Sequence, residues 1–197
     1  MSFRIEEKIS IDNKQLVDFK IFLSDRNVKK IHQPRKIQSL YFDNSNYEMY
    51  TDSIEGLTPR KKIRVRNYPA SEDSKFYLET KISSVEGRFK TRKIIEKNYF
   101  NNLKKVGILD PQYGLCKPCL YVIYNREYFI LDDVRVSIDA NINYKKYPYN
   151  FFQREENSIV EIKTSIKKNL DELIKAFPFQ RKRFSKYCNA VEKIIFN

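Results

Sequence analysis

The sequence predicts an α+β fold: a closed eight-stranded antiparallel β-barrel with a polar lumen, covered by about four helices. Three observations predict it. Eight segments have the length and composition of strands, and most are joined by tight turns or one helical excursion. Seven of the eight alternate charged residues with apolar ones, and successive strand side chains point to opposite faces. On several of those strands acids share the charged parity with the cations.

The first strand is "FRIEEKISI" (3–11). Phe3, Ile5, Ile9 and Ile11 share one parity with Glu7; Arg4, Glu6 and Lys8 share the other. A helix follows over 11–26, opened by a capping Asp or Asn, with Leu16, Phe19, Ile21 and Phe22 on one side. The next strand is "KIQSLYFDN" (36–44), and "SNYEMYTDSIEG" makes a short turn or helix. "RKKIRVRNY" (60–68) sets Lys62, Arg64, Arg66 and Tyr68 against Ile63 and Val65. After the loop "ASEDSK" (70–75), "KFYLETKIS" (75–83) puts Tyr77, Glu79 and Lys81 in phase. A second tight turn leads to "RFKTRKIIE" (88–96), with Arg88, Lys90 and Arg92 in phase.

The stretch 99–109 reads as a short helix ending near Gly107. The strand 119–131 has Tyr124, Arg126 and Tyr128 in phase. The strand 132–144 sets Arg135, Ser137, Asp139 and Asn141 against Val134, Val136, Ile138 and Ala140. A polar-aromatic connection leads to "SIVEIKTS" (158–165), with Glu161 and Lys163 against Val160 and Ile162. Helices over 167–177 and 184–196 close the chain. No repeat and no Pro/Gly/Ser-rich linker divides it, so the reading is one domain over 1–197.

The bulk numbers narrow the function. Lys plus Arg exceed Asp plus Glu by 38 to 25, a net charge of +13 that calls for an anionic partner. No GxGxxG or GxxxxGK[ST] occurs, which excludes a P-loop phosphate cradle. No apolar run approaches the ~20 residues of a transmembrane segment, and the N-terminus lacks the apolar region of a signal peptide. Three cysteines point to a reducing cytoplasm.

In an ordinary sandwich the charged parity faces water, and any single strand is best read that way. Repetition over seven strands favours a barrel whose charged parity faces in. Interior charges must then be paired or hydrated. Cations would grip a polyanion, and carboxylates would pair with them or ligate a hard divalent cation.

The chain at this point resembles the triphosphate tunnel (CYTH-like) proteins, in particular the catalytic domain of the VTC (vacuolar transporter chaperone) polyphosphate polymerases. The resemblance rests on "RIEEK" (4–8), "SLYFDN" (39–44), "PRKKIRVRNY" (59–68), "LETK" (78–81), "GRFKTR" (87–92), "YNREYF" (124–129), "VRVSID" (134–139), "VEIK" (160–163) and "FSKY" (184–187). It implies transfer of the terminal phosphate of ATP onto inorganic polyphosphate with Mn²⁺ or Mg²⁺. By this resemblance Lys8, Arg64, Arg66, Lys81, Lys90, Arg135 and Lys186 grip phosphates, with Arg92 a near alternative to Lys90. Arg60 and Arg126 are further additions to that set. Lys186, Arg135, Arg64 and Arg66 would serve the transferring group. Glu161, with Glu6, would hold the metal.

The implied partners are a nucleoside triphosphate and polyphosphate, with no nucleic acid, in a monomer or weak dimer. Arg4 stands where the triphosphatase branch carries a Glu, which favours polymer synthesis over hydrolysis. The competing readings are a triphosphatase on the same tunnel, and a non-catalytic binder of polyphosphate or nucleic acid. In-phase acids Glu6, Glu79 and Glu161 would repel a nucleic-acid backbone. "CKPC" (116–119) lacks a second ligand pair and reads as ordinary thiols rather than a zinc site, and His32 as a loop or surface residue.

Overall fold

The computed structural model describes residues 5–26, 28–69, 75–131, 134–164, 175 and 184–197. In chain order the elements are β1 (Ile5–Ile11), α1 (Asn13–Asp25), β2 (Lys29–Asp43), α2 (Glu48–Glu55), β3 (Arg60–Asn67), β4 (Phe76–Ser84) and β5 (Gly87–Ile95). Then come α3 (Lys97–Val106), β6 (Ile108–Asp110), β7 (Gly114–Leu131), β8 (Val134–Lys146), β9 (Phe152–Arg154), β10 (Ser158–Thr164) and α4 (Lys186–Val191). The last helix continues as a π-helical turn over Glu192–Phe196. The helix expected over 167–177, apart from position 175, lies outside the described residues, as do the loop 70–74 and Arg4.

The ten strands among the described residues form one hydrogen-bonded ladder in the order β1-β10-β8-β7-β2-β3-β4-β5, with β6 on β7 and β9 on β8. This corrects the expected closed barrel of eight strands. β1 and β5 stand at the two ends of the ladder, and no pairing joins them among the described residues. Closure requires the first and last strands of the path to meet, and no single strand's alternation encodes that. The two unexpected strands, β6 and β9, are three residues each, too short to show a period of two. β2 also starts at Lys29, seven residues before the expected 36. Residues 29–36 are all exposed, so no buried parity marks them.

The chain folds as two compact units. The first comprises 1–35, 124–142 and 154–184; the second comprises 36–123, 143–153 and 185–197.

In the first unit, the register aligns Ile9, Val160 and Ile138 on one face of β1, β10 and β8. Their apolar face packs against Phe19, Phe22 and Leu23 of α1 to form a buried core. Each such side chain contributes roughly 1.5–3 kcal/mol when buried. α1 begins with a capping box: Gln15 N–H donates to the Asp12 carboxylate, and the Asp12 N–H donates to the Gln15 side chain. Ile21, expected on the buried side, is 55% exposed, and Leu23 is buried instead. Positions 19, 22 and 23 share a face at i, i+3, i+4, while 21 falls about 200° from 19.

In the second unit, β2, β3, β4 and β5 form a meander with Leu40, Val65 and Leu78 aligned on the apolar parity. α3 meets β4 through Phe76, stacked on Phe100 at 4.7 Å. The start of α2 is held by Asp43, whose carboxylate accepts from the N–H groups of Met49 and Tyr50. The expectation that the helices cover the apolar parity needs one correction. α4 meets the charged parity, because Tyr187 stacks on Tyr41 at 5.0 Å and Ser185 accepts from Lys62 at 2.8 Å.

Candidate functional site

The charged parity of each unit carries its own constellation. In the second unit, register sets side chains in rows across the strands. One row is Tyr41, Arg64, Glu79 and Arg92, on β2, β3, β4 and β5. The next is Lys62, Lys81 and Lys90. The third begins Ser39, Arg66 and Tyr77. Directly opposed residues on one face have Cβ atoms about 4.5–5.5 Å apart, so like charges there repel.

Glu79 lies at the centre of the first row and is 2% exposed. Arg64 approaches its Oε2 through Nε at 2.9 Å and Nη2 at 2.7 Å. Lys90 donates to Oε1 at 2.6 Å. Arg92 lies 3.5 Å from Oε1, and Arg66 lies 4.0 Å from Oε2. Burial opposes ionisation of Glu79, yet Arg64 and Arg66, with hydrogen bonds from Lys90 and Arg64, outweigh it and hold the carboxyl at about 2. Lys90 is itself pushed down, first by burial and then by the neighbouring Arg64 and Arg66, despite its bond to Glu79. This is a crowded cation cluster around one carboxylate, not an isolated ion pair.

The surrounding groups steady those cations. Arg64 Nη1 donates to the Tyr41 hydroxyl at 2.8 Å. Burial raises that phenol's pKa, but Arg64, Arg66 and Lys62 outweigh it and bring it below the ordinary value. Arg66 donates to Ser39 at 3.2 Å. The Arg92 guanidinium lies 3.7 Å over the Tyr77 ring. Lys81 is exposed within its lysine row, and Lys186 is half-buried at the first turn of α4. Tyr187 donates to buried Asp43, which anchors the helix that carries Lys186.

In the first unit, register aligns Lys8 with Glu161 and Ser137, and Glu6 with Lys163 and Arg135. Lys8 Nζ reaches the Phe184 carbonyl at 3.3 Å and lies 3.6 Å from Glu6. Lys163 Nζ lies 3.2 Å from Glu161 and 3.7 Å from Glu6. Arg126 donates to both oxygens of Asp139, through Nε and, at 2.7 Å, through Nη2, which also reaches Glu161 at 3.3 Å. Burial opposes the charge on Glu161, and Arg126, a hydrogen bond with Glu6, Lys163 and Lys8 overcome it, holding the carboxyl well below the usual range. Arg135 is exposed on the same parity.

Thus Arg64, Arg66, Lys90 and Arg92 come together around Glu79, while Lys8, Glu6, Glu161 and Arg126 share the first unit's charged face. Arg60 does something else: it donates to the carbonyls of Gly56 and Leu57 and closes the end of α2. The sequence reading left Glu79, Tyr41, Asp139, Lys62 and Lys163 without a site role. Their in-phase positions were visible, but their partners depend on register. His32 is an exposed residue, as expected of a surface position, but it lies on β2 and not in a loop, with its ring edge-on to Tyr128 at 5.3 Å. Cys116 and Cys119 are buried free thiols on β7, and burial pushes both pKa values up, Cys116 to about 12.

Solved structures with this fold include a candidate adenylate cyclase from Bacillus halodurans. It is 12% identical, with a TM-score of 0.65 over 98% of this chain and 99% of that one. A protein from Pyrococcus horikoshii OT3 is 15% identical, with a TM-score of 0.62 over 97% of this chain and 99% of that one. A conserved hypothetical protein from Pyrococcus furiosus is 16% identical, with a TM-score of 0.60 over 94% and 99%. At such identities the likeness establishes the fold. No curated protein matches the chain. The VTC domain matches residues 3–195, and the chain belongs to the VTC domain family. No helix among the described residues is long and apolar enough to cross a membrane.

Proposed function

We propose that the chain is a phosphoryl-transfer enzyme that moves the terminal phosphate of ATP onto a growing inorganic polyphosphate chain. The observation that carries this reading is six cations on one face of β3, β4 and β5: the row Lys62–Lys81–Lys90, with Arg64, Arg66 and Arg92 gathered on Glu79 beside Lys90. Three lysines in direct cross-strand register repel one another, and the fold keeps them together. A chain of phosphates is a ligand that relieves that repulsion at several adjacent points.

Phosphoryl transfer needs positioning and charge neutralisation more than covalent chemistry from the protein. Arginine forks hold phosphate oxygens bidentately, and lysines act as compact point charges. In this reading Arg64, Arg66, Lys90 and Arg92 grip successive phosphates, with Lys81 as a further contact. Lys8, Arg135 and Lys186 supply further positive charge, and Arg126 acts through the carboxylates it holds. The acceptor is an already ionised phosphate oxygen, so no side-chain nucleophile is needed.

Among the described residues no group of three or more His, Cys, Asp or Glu is placed to hold a metal ion. Glu161 and Glu6 nevertheless fit a hard cation of the Mg²⁺ or Mn²⁺ type, which commonly uses one or two carboxylates and takes its other ligands from water and substrate phosphates. Glu161 is kept ionised, the form in which a carboxylate binds such a cation. Such an ion, when bound, would neutralise charge on the phosphate oxygens.

The test is incubation of pure protein with ATP and Mn²⁺ or Mg²⁺, followed by a gel stained for polyphosphate. Polymer supports the proposal. Phosphate release from tripolyphosphate with no polymer replaces it with a triphosphatase, and binding without turnover replaces it with a non-catalytic binder.

A further inference from the structure

Glu79 presents a puzzle that the phosphate-gripping cations alone do not explain. A site meant to attract a polyanion carries a fully ionised carboxylate at its centre. The two oxygens divide the work. Oε2 takes the β3 arginines, Arg64 and Arg66, while Oε1 takes the β5 cations, Lys90 and Arg92. The carboxylate therefore ties β3 to β5 across its own strand. Arg64 is fixed at two ends, by Glu79 on Nε and Nη2 and by Tyr41 on Nη1.

We propose that Glu79 is a positioning residue, an internal counter-ion that sets Arg64, Arg66, Lys90 and Arg92 in the arrangement a phosphate chain binds. The inference rests on the reading of this face as a phosphate site. Four cations held by one carboxylate keep three net positive charges for the ligand. Without the carboxylate the four repel, and flexible side chains splay before a ligand arrives. Ordering them then falls on the binding step and weakens it. The low carboxyl pKa, about 2, agrees, because it keeps the counter-ion charged at neutral pH.

The sign of one measurement separates this from plain electrostatics. Glu79→Gln keeps the shape and removes a negative charge, so charge subtraction alone would tighten binding of an anion. Positioning predicts the opposite. Glu79→Asp keeps the charge but withdraws it by about 1.5 Å, one carbon–carbon bond.

The experiment is calorimetric titration of the full chain with tripolyphosphate, without metal, beside thermal unfolding of each variant. Wild type binds. Both variants bind about ten-fold or more weakly, the scale expected for a lost charged hydrogen bond. A merely structural role would instead lower the midpoint and leave the folded protein's affinity intact. Equal or tighter binding by Glu79→Gln overturns the proposal, and so does wild-type affinity in Glu79→Asp, which decides the matter if the Gln variant does not fold. Failure of wild type to bind tripolyphosphate overturns the phosphate site itself, and this inference with it.

Discussion

Arg126→Met removes the guanidinium that faces Asp139 and Glu161 while keeping most of the side chain's apolar stem. Asp139 is 0% exposed and Arg126 holds both its oxygens. Glu161, 8% exposed, loses its largest attractive partner but keeps Lys163 and Lys8. Breaking a buried pair by removing one member costs about 3–5 kcal/mol, because the other charge stays behind. A chain of 197 residues moves about 2–4 °C per kcal/mol, so the thermal midpoint should fall by roughly 6–20 °C.

The pH dependence carries a second sign. Glu161 has a folded pKa well below its unfolded value of about 4.3. Its stabilising contribution is therefore present above about pH 4.3 and lost as pH falls through the folded value. With Arg126 gone that depression shrinks, so the variant loses less stability than wild type between neutral and acid pH. Thermal unfolding followed by circular dichroism at several pH values measures both effects. A midpoint within about 2 °C of wild type at neutral pH would refute the assignment of Arg126 as the clamp on two buried carboxylates.

Three further outcomes follow. Lys186→Ala and Arg64→Ala should each abolish polymer formation in the ATP gel assay while the circular dichroism spectrum stays native; full activity in either removes that residue from the phosphate-gripping set. Tyr187→Phe should cost about 1–3 kcal/mol in urea unfolding, because buried Asp43 loses a donor, though the N–H groups of α2 still serve it. An unchanged midpoint would mean that the tyrosine packs but does not anchor. Asp12→Ala should cost about 0.5–2 kcal/mol through loss of the α1 capping box, and its replacement by Asn should recover most of that.

Much of the sheet was legible because parity is a local property. The charged phases of β3, β4, β5 and β10 each came from a single segment, and the structure buries the opposite parity under α1 in the first unit. Arg64 and Glu161 could be read the same way, as cation and acid on charged faces. Glu79 could be placed on its face but not given its role, since that role depends on Arg64 and Lys90 arriving from neighbouring strands. Arg126 shows the converse. It read as one more phosphate contact, and the fold commits it to Asp139 and Glu161.

What the sequence alone determined is therefore whatever a strand or helix carries within itself: the period of two, the capping box at Asp12, and the excess of cations. What only the tertiary structure decided is whatever depends on which segments meet. Among the described residues β1 and β5 end the ladder without pairing to each other, the short strands β6 and β9 form only against partners, and α4 lies on the charged parity. The physical reason is that backbone pairing and ion pairing are relations between segments distant in sequence. A residue's alternation specifies the face it occupies, and its register specifies the charge it meets there.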